Sequence, residues 1–188
     1  MADIADAAGN NATLTTFYTS WRAYQDRLKS ALAPLTAEQL ALRAAPGLRS
    51  VGEIALHIVG CRMFWLTEVL GEAGGEATKA YAAWNEAALG APYASQSEFA
   101  QALGAPIPTA AGLVRGLGDT WRLMADCLAR WSPADMQQTS PDDGEEGGTP
   151  VEGSRAWVVW HVLEHDLHHG GELSLTLGIH GLQADFTS

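Results

Sequence analysis

Residues 160–172 read WHVLEHDLHHGGE. Four of the chain's six histidines fall in this stretch, and their spacing decides whether it is a helix. At about 100° per residue, with His161 at 0°, His165 falls at about 40°, His168 at about −20° and His169 at about 80°. All four therefore project from one face of a helix, within about 100°. Leu163, Leu167 and the neighbouring tryptophans take other directions. The apolar spacing extends this helix from Val151 or Ser154 to Leu177, with Gly178 as its C-cap.

Three more long helices precede it. From Thr13, the residues Leu14, Phe17, Tyr18, Trp21, Tyr24 and Leu28 recur at i, i+3 and i+4, an apolar stripe that Pro34 brings to an end. Thr36 and Gln39 form a capping-box pattern over a short helix, TAEQLALRA. Ser50 and Glu53 form another at the head of VGEIALHIVGCRMFWLTEVL, which Gly71, Gly74 and Gly75 stop. A third long helix runs from about Ala110 to Trp131, with Leu113, Leu117, Met124, Leu128 and Trp131 on its buried face. Gly112, Gly116 and Gly118 lower its propensity and offer another helix a close approach. Between Glu76 and Pro108 the chain is less regular, and SQSEFAQAL reads as a short helix. SPDDGEEGGTP is acidic and Gly-rich and reads as a solvated loop, within residues 137–150.

No strand pattern and no internal repeat competes with this reading. The expected fold class is all-α: a single domain over residues 1–188, with residues 1–12 as a flexible N-terminus. Its architecture is a four-helix bundle with a long crossover connection and short additional helices. The composition agrees. Hydrophobic residues make up 47% of the 188, enough to bury a core. A net charge of −11 repels phosphate backbones and anionic lipid, so neither nucleic acid nor membrane is an expected partner. Cys61 and Cys127 lie in apolar helical patterns and read as small core residues, without a disulfide framework. With no signal-peptide pattern, the expected localisation is cytoplasmic.

Histidines at i and i+4 on one helix can share a metal ion. The partner ligand must come from elsewhere, and only His57 and His180 remain. His57 sits inside an apolar helix, whereas His180 follows Gly178 at a helix end. Paired histidines on one helix and an isolated one on another are how bundles assemble metal sites. Spacing alone leaves open which of the helical histidines ligate.

The segments VGEIALHIVGCRMFW and WVVWHVLEHDLHHGGEL, with the order of four long helices, resemble the DinB/YfiT-like superfamily of bacterial metalloenzymes. The second segment is similar to that family's H-x3-H-x2-H-H-R-G-Q motif. The resemblance implies one divalent metal ion, zinc or nickel, held by His57, His165 and His169. His161 would then stand behind the ligands or serve as an alternative one, and His168 would lie at the surface. Gly170 stands where Arg is frequent and Glu172 where Gln is frequent, which puts any role of that Arg and Gln in doubt here.

The resemblance also implies a small-molecule substrate and a low-molecular-weight thiol as cosubstrate. The expected chemistry is metal-activated thiol transfer to a small electrophile, or its isomerisation. The alternatives are a metal-dependent hydrolase and a non-catalytic metal-binding module of a stress response. For hydrolysis the candidate general bases are Glu53, Glu164, Asp166 and Glu172, although most helical carboxylates are simply solvated. Trp157 and the aromatic residues of the first helix suggest a homodimer.

Overall fold

Helices form where the caps and apolar stripes require them. The computed structural model describes residues 12–72, 109–139 and 153–182. The expected short helix SQSEFAQAL, the long connection and most of the acidic loop lie outside these residues. Helix α1 spans Ala12–Leu32. Its Tyr18, Trp21, Tyr24, Leu28 and Leu32 are buried, while Phe17, at the edge of the stripe, is 45% exposed. Helix α2, Ala37–Leu40, is one turn, and both halves of the Thr36/Gln39 capping box form.

Helix α3, Val51–Met63, begins at Ser50. Glu53 N–H donates to Ser50 Oγ at 3.2 Å, and Ser50 N–H donates to Glu53 Oε2 at 2.7 Å. Two otherwise unsatisfied donors of the first turn are thereby paired. All thirteen residues of α3 are buried, as expected of a helix that is largely apolar all round, and Glu53, His57 and Arg62 are buried with them. The chain does not continue as α-helix to Leu70. Phe64–Val69 is a π-helical turn, and Gly71, at φ 65°, ends it in a left-handed conformation that suits glycine. Apolar periodicity does not distinguish this wider turn from α-helix.

Helix α4, Ala110–Arg130, is capped by Thr109 and buries Leu113, Leu117, Met124 and Leu128. Gly112 and Gly116 are buried in it. A Cβ at Gly118 would meet nothing within 4 Å, so Gly118 is not a point of close approach. Helix α5, Arg155–Ile179, is capped by Ser154. It ends later than the sequence suggests. Leu182 N–H donates to Leu177 O at 3.0 Å, and Gly181 N–H donates to Gly178 O at 3.0 Å. This is a Schellman closure on Gly181, at φ 69°, rather than on Gly178.

Helix α3 packs on both α4 and α5, and α1 packs on α4. Side chains of α1 reach α5 as well: Trp21 Nε1–H and Gln25 Nε2–H both donate to Asp166 Oδ2, at 3.0 and 2.8 Å. The order around the bundle is therefore α1, α4, α3, α5, which is not the sequential order of a simple up-and-down bundle. No β-strand occurs among the described residues; two isolated bridges, Arg43–Ser50 and Thr139–Ser154, tie loops to helix starts. The fold is all-α. Cys61 and Cys127 are buried, free thiols of the core. No described helix is long and apolar enough to cross a membrane.

Candidate metal centre

The packing of α3 against α5 brings His57 between His165 and His169. The ring centroids lie 4.7 Å apart for His57 and His165, 4.6 Å for His57 and His169, and 4.2 Å for His165 and His169. His57 Nε2 and His165 Nε2 are 3.1 Å apart. One potential ligand atom from each of the three rings falls within 4.8 Å of the others. Two imidazoles bound tetrahedrally to one zinc ion, each at about 2.0–2.1 Å, place their nitrogens about 3.3 Å apart. The triad therefore fits a divalent ion and could bind one.

The electrostatics favour the binding form of each ring. Burial pushes the His57 pKa down to about 3, helped by the charge of Arg49 and by the cost of protonating it beside His169 and His168. Burial also lowers that of His165, to about 2, with the neighbouring His57, His169 and His161 adding to the effect. His169 is lowered by burial too, with Glu172 opposing the shift. All three rings are thus neutral at pH 7, and neutral imidazole is the form that ligates. His165 Nδ1 is buried and has no hydrogen-bond partner among the described residues. His169 Nδ1 lies 2.7 Å from Glu172 Oε2.

The remaining histidines are placed differently. His161 stacks on Trp157 at 4.9 Å and meets the edge of Trp65 at 4.9 Å. Its ring centroid is 6.1 Å from that of His165. The π-helical turn carries Trp65, so the three rings continue the histidine face along α5. His168 is exposed beside Glu172. His180 Nε2 is 2.9 Å from the Arg43 carbonyl and joins the end of α5 to the loop before α3.

Most of the four candidate bases are occupied elsewhere. Glu53 holds its cap and Arg43, at 2.6 Å. Glu164 is exposed, 3.8 Å from His161. Asp166 is not solvated, as a helical carboxylate usually is, but wholly buried. Its Oδ1 accepts from Arg62 Nε–H at 2.9 Å, and its Oδ2 accepts from Arg62 NH2, Trp21 and Gln25. Arg62 in turn donates to Gln25 Oε1, to Leu117 O and to Thr120 Oγ1. This network draws on α1, α3, α4 and α5. The signal for it in the sequence was Arg62 itself, a cation inside an otherwise apolar helix, which has to find a buried anion.

The departure at Gly170 also has a structural reason. A Cβ there would lie 1.8 Å from the Tyr24 hydroxyl and 2.8 Å from Tyr24 Cζ. The tyrosine ring fills the space that any side chain at position 170 would enter, so an arginine cannot be seated there in this packing.

Known proteins agree with the fold. Among curated protein sequences, none matches the chain. A crystal structure of a DinB-like protein from Bacillus cereus ATCC 10987 is similar to it over 92% of this chain and 95% of that one, with a TM-score of 0.63 and 20% identity. The family model of the DinB superfamily matches residues 20–173, which takes in all three histidines of the triad. The chain belongs to the DinB superfamily.

Proposed function

We propose that the protein is a metal-dependent enzyme whose ligands are His57, His165 and His169, acting on a small electrophile with a low-molecular-weight thiol as cosubstrate. The observation that carries this reading is the convergence of three neutral imidazoles from two helices, with His165 and His161 half-buried and so open to a small molecule. A divalent ion held there supplies Lewis-acid chemistry, lowering the pKa of a bound thiol or polarising a bound oxygen. The residues of the chain do the rest. His57 and His169 are sunk in the bundle and exclude water from one side. Trp65, Trp157 and His161 form an aromatic wall beside His165, against which the apolar part of a substrate can lie.

Thiol transfer is preferred to hydrolysis because of the carboxylates. Hydrolysis calls for a general base near the ion. Among the described residues Glu53 and Asp166 are tied up in ion pairs, and Glu172 is bonded to a ligand ring. Thiolate attack needs no base from the protein once the thiol has ionised. The exposed Trp160, Leu167 and Leu175 give α5 an outward apolar face, and this face, rather than the packed Trp157, is where a homodimer would form.

The test starts with untagged protein. Elemental analysis and Zn2+ or Ni2+ titration come first, followed by a screen of thiols against small electrophiles with and without metal. Metal-dependent consumption of thiol supports the enzyme. Tight metal binding with no turnover of any thiol or ester makes the chain a binding module, and ester turnover without thiol makes it a hydrolase.

A further inference from the structure

Glu172 is one turn beyond His169 on α5, and its Oε2 lies 2.7 Å from His169 Nδ1. That distance is typical of a charge-assisted hydrogen bond. An ionised carboxylate can only accept, so the imidazole hydrogen has to sit on Nδ1. The lone pair of His169 is then confined to Nε2. The His57 and His165 rings already face each other through Nε2, at 3.1 Å. The carboxylate thus selects the one neutral tautomer of His169 that can join them.

An amide in place of the carboxylate would lack both properties. A glutamine side chain can accept or donate, so it leaves either tautomer of His169 available. It also carries no charge, whereas three neutral imidazoles leave a dication uncompensated. We infer that Glu172 is a positioning residue for the metal site: its carboxylate fixes the His169 tautomer and ring orientation and supplies a negative charge beside a divalent cation bound by the triad. The inference rests on the proposed ligand set. Second-layer partners of this kind typically change metal affinity by about 10–100-fold.

Glu172 suits a clean test because its side chain is 43% exposed, so replacing it should leave the bundle intact. Untagged, metal-free parent, Glu172→Gln, Glu172→Ala and His57→Ala are titrated with Zn2+ against a chromophoric chelator. Visible spectra of the Co2+ forms and melting of the metal-free forms are recorded alongside. The expected result is a loss of about 10–100-fold in Zn2+ affinity for Glu172→Gln and Glu172→Ala. Their Co2+ spectra should be altered, and the metal-free melting temperatures should match that of the parent. Parent-like Zn2+ affinity in Glu172→Gln, with binding lost in His57→Ala, overturns the role of Glu172 and leaves the ligand set standing. Parent-like binding in His57→Ala, or none in the parent, overturns the ligand set and this inference with it.

Discussion

Replacing Asp166 with leucine should come close to unfolding the protein. The side chain is wholly buried and so is its partner: exposure is 0% for Asp166 and 1% for Arg62. Removing one member of a buried ion pair leaves an uncompensated charge and typically costs about 3–5 kcal/mol. Here the loss extends further, because Trp21 Nε1–H and Gln25 Nε2–H also donate to Asp166 Oδ2. Buried donors left without acceptors add about 1–3 kcal/mol each. The total is comparable with the whole stability of a typical domain, about 5–15 kcal/mol. The double variant Arg62→Met/Asp166→Leu removes the stranded charge, and it should recover at least about 2 kcal/mol over the single variant, since apolar replacement of a buried pair is often nearly neutral. Urea denaturation followed by tryptophan fluorescence and circular dichroism gives both numbers. A cost below about 1 kcal/mol for Asp166→Leu, the range of an exposed pair, would refute the reasoning.

Other outcomes are equally specific. His57→Ala, His165→Ala and His169→Ala should each sharply reduce Zn2+ affinity by calorimetry, His161→Ala should weaken it less, by about 10–100-fold, and His168→Ala and His180→Ala should do little; binding lost in His161→Ala but kept in His169→Ala would move the ligand pair by one turn. Metal-free protein should lose stability as pH falls below about 6.5, the unfolded histidine value. Above that pH both states hold neutral imidazole. Below it the unfolded chain takes up protons that His57 and His165, with folded values near 3 and 2, refuse, so each ring contributes a slope of about 1.4 kcal/mol per pH unit. Urea unfolding from pH 7.5 to 5 checks this, and a flat profile contradicts it. Gly170→Ala should cost about 1–3 kcal/mol by overpacking, because its Cβ would fall 1.8 Å from the Tyr24 hydroxyl; Tyr24→Phe should return part of that loss in thermal melts of the double variant.

The sequence made the helices legible because their ends are written in short-range chemistry. Ser50 with Glu53, Thr36 with Gln39, and Ser154 are all caps whose partners lie three residues away. The histidine pair was legible for the same reason, since i and i+4 are neighbours on any helix. What stayed hidden depends on partners distant in the chain. Asp166 lies about 100° round the helix from His165, and only the fold shows that this direction leads toward α1 and the bundle centre rather than toward water. Its partner Arg62 is 104 residues distant, beyond any local pattern. The π-helical turn was hidden because one extra residue per turn barely disturbs a six-residue apolar pattern. Helix α5 runs past Gly178 because its closing hydrogen bonds, to Leu177 O and Gly178 O, form on Gly181 and Leu182, which lie beyond the first glycine in the sequence.

The hidden network and the visible triad are mechanically related. Asp166 follows His165 directly and precedes His169 by three residues, while Arg62 stands five residues beyond His57 on α3. The ion pair therefore fixes the rotation of α3 and α5 within about a turn or so of every proposed ligand. Rotation matters greatly at this radius. A helix with its side chains is about 10–12 Å across, so turning it by about 20° sweeps a side-chain tip through about 2 Å. That is a whole metal–nitrogen bond length, about 2.0–2.1 Å for zinc. Apolar packing alone tolerates such slippage, because leucine and valine surfaces have no directional bonds to lose. Five directional contacts from Arg62 and four onto Asp166 do not. A bundle of apolar side chains can thus keep three imidazoles together, because charged hydrogen bonds, buried one turn away, set the phase of the two helices that carry them.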